Sequence, residues 1–116
     1  MTELQSIEAK HSLWAASAPK GGGRALKIAA EAYGVPLEEV TAATRRGPRA
    51  ALARQVAMYL AHVVLGMTMS EIAHAFGRDR TTASHACRRI EDLRENAQFD
   101  RTIAWLEAKL ATGEMP

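Results

Sequence analysis

The sequence contains a single cysteine, Cys87, among 116 residues. One thiol excludes an intrachain disulfide and a zinc site built from several cysteines. Its spacing places it on the inward face of a predicted helix, where we expect a buried, unreactive thiol. His62 and His74 have no acidic or thiol neighbour at metal-site spacing, so we expect no metal ion and no cofactor.

The chain also lacks the signals of membrane insertion and secretion. No apolar run approaches the length that a bilayer requires. The N-terminus, with Glu3 and Glu8 among its apolar residues, lacks the basic start and continuous apolar core of a signal peptide. We therefore expect a cytoplasmic, nucleoid-associated protein with no membrane partner.

No set of residues indicates catalysis or nucleotide binding. Paired carboxylates, a nucleophile beside a base, and a metal cluster are all missing at useful spacings. The glycine triplet at residues 21–23 follows Lys20 but lacks the closing Gly-Lys-Ser/Thr of a phosphate-binding loop, so it reads as a flexible linker. We expect neither an enzyme nor a small-molecule substrate.

The apolar residues follow helical spacing throughout, and no stretch alternates as a strand does. With 47% hydrophobic and 24% charged residues, the composition is that of a soluble, single-domain globular protein. The spacing therefore predicts a compact all-α fold of several helices. The predicted helices span residues 2–18, 24–33, 36–40 and 50–65, then the helix-turn-helix described next, and a final helix with Phe99, Ile103, Leu106 and Leu110 on its inner stripe. The predicted core stripe of the fourth, central helix is Leu52, Val56, Tyr59, Leu60 and Val63.

Two short helices joined by a tight turn are predicted after residue 67. Thr68 and Glu71 have the spacing of a capping box, and Gly77 follows where a helix end needs a residue tolerant of positive φ. Asp79 can then cap a second helix. This is the pattern of a helix-turn-helix. The predicted inward positions of the second helix are Ala83, Ala86, Cys87, Ile90 and Leu93.

The remaining face of the second helix carries arginines, hydroxyls and an imidazole, which suit the DNA major groove. Between Arg45 and Arg89 there are eight arginines against two acids, a net charge of +6, while the rest of the chain holds seven bases and eleven acids. Positive charge is thus concentrated where phosphate contact would require it. We predict that bases or nearby phosphates are contacted by Arg80, Thr81, Ser84 and His85, and that the DNA backbone is held mainly by Thr82, Arg88, Arg89, Arg54 and Arg49.

The segment Asp79–Glu91 resembles the C-terminal DNA-binding domain of the bacterial chromosomal replication initiator, DnaA. That family's signature reads Asp-His-Thr-Thr-Val-Leu-His-Ala-Cys-Arg-Lys-Ile-Glu, against Asp-Arg-Thr-Thr-Ala-Ser-His-Ala-Cys-Arg-Arg-Ile-Glu here. Residues 54–61 and 30–35 resemble the start of the family's long helix and its first helix. The resemblance implies a Trp-repressor-like helical fold and double-stranded DNA as partner. It also implies three regions: an N-terminal helix and linker at 1–23, the DNA-binding domain at 24–112, and a tail at 113–116.

Three departures from the family pattern alter what the resemblance implies. The turn is one residue shorter, with one glycine instead of two. Arg80 stands where the family has its base-contacting His, and Ser84 where it has Leu. The family's minor-groove arginine is replaced by Leu52, so Arg49 or Arg46 in the preceding basic loop could substitute only by a different approach.

These departures favour a transcriptional regulator with its own target site. A regulator of replication initiation that competes for initiator boxes is the second hypothesis. A protein-interaction module that has lost DNA binding is the third, and it predicts that Arg80, Arg88 and Arg89 are covered or paired with acids. A domain of this size reads a short site, and the N-terminal helix is expected to support a homodimer that lengthens it.

Overall fold

The computed structural model describes residues 22–41 and 47–112 of the chain. No strand occurs in these two ranges, which confirms the all-α prediction. The predicted helix at residues 2–18, Arg46 of the basic loop, and the tail at 113–116 lie outside the described residues. The helices are α1 (Gly22–Ala32), α2 (Leu37–Val40), α3 (Pro48–Val63), α4 (Met69–Phe76), α5 (Arg80–Leu93) and α6 (Ala97–Thr112). Gly22 and Gly23, predicted as part of a flexible linker, instead form the start of α1, where Gly22 is buried.

Helix α3 lies at the centre and contacts each of the other five helices. Pro48 occupies its first turn, where a missing amide is tolerated and the fixed φ suits the helix. Val56 and Leu60 are fully buried, as predicted, and the neighbouring alanines Ala53 and Ala57 are fully buried too. Small side chains on several faces allow neighbouring helices to pack around α3.

The end of α3 differs from the prediction. The helix ends at Val63 rather than Leu65, and Val63, predicted in the core stripe, is 44% exposed. The chain reverses at Gly66, whose φ is 71°. Fully buried Met67 then enters the core, and its amide donates to the Ala61 carbonyl at 3.1 Å. The prediction for Val63 was wrong because Met67, from beyond the turn, fills the core at this end.

The helix-turn-helix forms as predicted. The Thr68 hydroxyl accepts from the Glu71 amide at 3.1 Å, and the Glu71 carboxylate accepts from the Thr68 amide at 2.8 Å, which completes the capping box of α4. Gly77 ends α4 in the left-handed conformation with φ 65°. Asp79 then caps α5 by accepting from the Thr82 amide at 2.7 Å. The turn between the helices is therefore only three residues long.

Helices α1 and α6 close the core on the other side of the domain. Ile28 of α1 and Ile103, Leu106 and Leu110 of α6 are buried. Arg24 Nη1 lies 3.4 Å from the Leu110 carbonyl and joins the start of α1 to the end of α6. In the described part of the chain, no helix combines the length and the apolar character needed to span a bilayer.

Candidate nucleic-acid interface

The inner face of α5 fixes this helix on the core. Ala83, Ala86, Cys87 and Ile90 are buried, as predicted, and Leu93 is partly buried against them. Burial, with a smaller contribution from Glu91, raises the pKa of the Cys87 thiol to about 11. The thiol is therefore protonated at neutral pH, in agreement with the expected unreactive role.

The outer residues of α5 form two rows along the helix, because side chains three and four apart lie on the same side. The first, which we call the open row, consists of Thr81, Ser84 and Arg88, with Arg80 at the helix start. Thr81, Arg88 and Arg80 are exposed and Ser84 is partly buried. The second, the groove row, consists of Thr82, His85 and Arg89, all exposed. The predicted DNA-binding residues of α5 thus separate into two sets with different neighbours.

The groove row faces α3 across a groove of about 370 Å³. Three arginines from separate elements meet there: Arg54 of α3, Arg78 of the turn and Arg89 of α5. His85 adds an imidazole and Asp92 a single carboxylate. The complete lining is Arg54, Gln55, Met58, Arg78, Thr82, His85, Ala86, Arg89 and Asp92. This composition suits an anion.

Arg54 is held partly inside the fold. Its Nε donates to the Val40 carbonyl at 2.9 Å, which joins α3 to the end of α2. Its Nη2 is buried and has no hydrogen-bond partner. Burial lowers the pKa of the Arg54 guanidinium, and the nearby charge of Arg78 lowers it further. An anion in the groove would offset both effects by pairing with this charge.

Arg78 was missed by the sequence reasoning. It is partly buried, its Nη1 lies 3.4 Å from the Phe76 carbonyl, and its amide donates to the Ala73 carbonyl at 2.9 Å. One feature of the sequence could have identified it. Arg78 directly follows the turn glycine, and a side chain at that position lies beside the start of α5. Its proximity to Arg54, 24 positions earlier, depends on tertiary packing.

The other predicted arginines are accessible. Arg80, Arg88 and Arg89 are exposed, and among the described residues none of them forms an ion pair. Arg49 is exposed in the first turn of α3. This arrangement is the opposite of what a module that had lost DNA binding predicts.

Two histidines outside α5, His62 and His74, lie in the described part of the chain. His62 is partly buried with its Nδ1 2.9 Å from the Met67 carbonyl, and His74 is exposed. Within residues 22–41 and 47–112 no group of three His, Cys, Asp or Glu side chains converges as a metal site does.

Comparisons with known proteins agree with the geometry. The family model described as the bacterial DnaA protein helix-turn-helix matches residues 24–90, which include α5 through Ile90. A solved structure of the replication initiator DnaA, bound to AMPPCP and single-stranded DNA, is similar to 93% of this chain at 28% identity and a TM-score of 0.71. The chain corresponds to 32% of the length of that protein.

Proposed function

The chain belongs to the family of bacterial DnaA helix-turn-helix domains, which implies DNA binding, and from that premise we propose that it recognises double-stranded DNA by sequence, as a transcriptional regulator. The observation that carries the proposal is that α5 has two adjacent outer surfaces with different neighbours. At the start of the open row, exposed Arg80 and Thr81 are available for bases, and the groove row lies beside the partly buried Arg54 and Arg78, which suit phosphate.

The start of α5 is the part proposed to read bases. Arg80 is its first residue and Thr81 its second, and both are exposed beyond the short turn. Arginine donates two hydrogen bonds to guanine in the major groove, and hydroxyls reach base edges or phosphates. Ser84 and His85 follow one turn later. With Arg80 where the family carries His, we propose that the preferred sequence differs from the initiator's.

The groove is proposed to hold the DNA backbone. Arg54 has a buried nitrogen without a partner and Arg78 as a close like charge, so a phosphate oxygen there would satisfy a donor and reduce repulsion. Thr82, His85 and Arg89 line the groove from α5. Arg49 and Arg88, which are exposed outside the groove lining, are proposed to make further backbone contacts. Phosphate contacts are independent of sequence and release counterions, so this surface should supply salt-sensitive affinity.

Competition with an initiator for its own boxes is the second candidate function, and the family membership favours it. The matched initiator structure holds a nucleotide analogue and single-stranded DNA, and this chain corresponds to 32% of that protein. The same fold and groove would serve either role. The two candidates differ in one measurable property, which is the sequence preferred by the open row.

The test begins by selecting bound fragments from genomic DNA to define a preferred duplex. Fluorescence anisotropy at two salt concentrations then measures binding to that duplex, a scrambled duplex and an initiator-box duplex. Arg80→Ala should reduce discrimination between preferred and scrambled DNA by ~1–3 kcal/mol, the range for one good bidentate base contact. Arg89→Ala should weaken binding to all duplexes and lower the salt dependence.

Arg101→Ala is the control, because Arg101 is an exposed arginine on α6 outside the groove. It should change neither quantity. Equal losses of discrimination in the Arg80 and Arg89 variants would contradict the assignment of the two rows. If the wild-type protein binds the initiator-box duplex more tightly than the selected fragments, the replication role would be favoured over the transcriptional one.

A further inference from the structure

The end of α5 opposite its proposed reading end is fixed by one side chain. Arg94 directly follows the last helical residue, Leu93. Its Nε donates to Asp100 Oδ1 at 2.6 Å, and its Nη1 donates to Glu107 Oε2 at 2.8 Å and to the Tyr59 hydroxyl at 3.0 Å. Its guanidinium carbon also lies 5.9 Å from the centre of the Tyr59 ring. One guanidinium therefore joins α5 to both α3 and α6; we call this set of contacts the Arg94 clamp.

The clamp is partly sheltered from solvent. The Arg94 side chain is 22% exposed, that of Glu107 is 26% exposed and that of Asp100 is 46% exposed. Burial alone would lower the pKa of Arg94, but the hydrogen bonds to Asp100, Glu107 and Tyr59 outweigh it and raise the pKa. Two carboxylates and a hydroxyl at separate points require a planar fork of donors, which lysine lacks. The three acceptors therefore fix the orientation of the Arg94 guanidinium, in addition to pairing with its charge.

The opposite half of the helix buries smaller side chains. Ala83 and Ala86 are buried in the first half of α5, whereas Cys87 and the larger Ile90 are buried in the second. Arg80 is about 20 Å from Arg94 along the axis, at ~1.5 Å per residue, so a tilt of about 3° at the clamp moves the reading end by roughly 1 Å. Hydrogen bonds to bases do not survive such a shift without loss of geometry.

We propose that Arg94 is a positioning residue for DNA discrimination: by holding the end of α5 against α3 and α6, it sets the angle at which Arg80 and Thr81 meet the bases. The inference rests on the proposed function, because it requires α5 to read sequence. Arg94 itself lies beyond the acidic turn of Glu91 and Asp92 and needs no contact with DNA for this role.

The test compares Arg94→Lys with Arg101→Lys, an equal change at an exposed arginine of α6. Anisotropy titrations with preferred and scrambled duplexes are done at a low temperature, chosen so that circular dichroism gives the full helix content for every variant. Arg94→Lys should reduce the affinity ratio between the two duplexes about tenfold, the loss expected for one good base contact. The scrambled-duplex affinity and its salt dependence should stay at the wild-type values, and Arg101→Lys should change nothing.

A second comparison tests whether Arg94 affects discrimination through Arg80. If Arg94 acts by aiming Arg80, then Arg94→Lys should reduce the ratio much less in an Arg80→Ala background than in the wild type, because coupled residues give non-additive losses. Loss of thermal stability with an unchanged ratio would overturn the inference and leave Arg94 purely structural. Equal effects of Arg94→Lys in both backgrounds would also overturn it. Absence of sequence preference in the wild type would instead refute the proposed function.

Discussion

The two halves of α5 share one helix but differ in charge and in their relation to the core. The first half begins with exposed Arg80 and Thr81, contains no acid, and rests on small alanines. The second half exposes Glu91 and Asp92, buries Ile90 completely, and ends in the Arg94 clamp. The first half presents Arg80 and Thr81 outward, whereas the end of the second half is anchored to α3 and α6.

This difference indicates how the helix would approach a duplex. Carboxylates repel phosphates, so the turn with Glu91 and Asp92 should lie farther from the DNA than Arg88 and Arg89, which precede it. The half without acids is left to enter the major groove, start of the helix first, as recognition helices do. Anchoring and reading are thus assigned to opposite ends of α5, and the proposed role of Arg94 is to connect the two.

The largest expected effect lies in the anchoring half. Ile90→Ala removes a fully buried side chain and should lower the free energy of unfolding by about 2–5 kcal/mol, measured by urea denaturation, because a cavity remains beneath α5. The matched variant in the reading half is Thr81→Ala, an exposed position where stability should change by less than about 0.5 kcal/mol. A reversed pattern, with Ile90→Ala harmless and Thr81→Ala destabilising, would refute the division.

An intermediate effect is expected at the junction between the turn and the reading half. Asp79→Ala removes the acceptor of the Thr82 amide and should lower the melting temperature, whereas Asp79→Asn keeps an acceptor and should retain most of the stability. Hydrogen bonds from Thr82, chiefly from its backbone amide, hold the pKa of the Asp79 carboxyl below its ordinary value of 3.8. The contribution of the charged cap is therefore complete above that value and is lost as the pH falls through the lower, folded-state pKa. Melting curves from neutral to acid pH check this, and an identical acid dependence for wild type and Asp79→Ala would contradict it.

The smallest expected effect concerns the acid beside the groove. Asp92→Asn removes the carboxylate that lines the groove with Arg54, Arg78 and Arg89, and should strengthen binding to every duplex by ~0.2–1 kcal/mol. The gain should fade at high salt, because exposed charges are screened. Glu95→Gln, an exposed acid outside the groove lining, should give a smaller gain. Weaker binding by Asp92→Asn in low-salt titrations would show that this carboxylate serves another purpose.

Much of the fold was accessible from the sequence because its determinants are local. The capping box at Thr68, the glycine turn at Gly77 and the cap at Asp79 each involve residues within a few positions of one another. The inner face of α5 follows from helical periodicity, and four of its five predicted members are buried with the fifth partly so. The prediction failed at Val63, where the core position is taken by a residue from beyond a turn.

The candidate interface was predictable only in part, because some of its contacts join residues that are distant in the sequence. The exposed residues of α5 could be found by subtracting its inward positions. Their division into rows required knowing on which side α3 lies. Arg54 was predicted as a backbone contact, but its hydrogen bond to Val40 and its closeness to Arg78 involve partners 14 and 24 positions away. Periodicity within one helix carries no information about such pairs.

The sequence by itself determined where helices α4 and α5 begin, where α4 ends, and which face of α5 is apolar, because caps, turns and periodicity depend on near neighbours. It did not determine the end of α5, which lies at Leu93 rather than next to Asn96. Only the tertiary structure decided that three arginines from separate elements line one groove, and that Arg94 joins residues as distant as Tyr59 and Glu107. These arrangements arise when helices pack, and packing depends on the shapes of all the faces that meet.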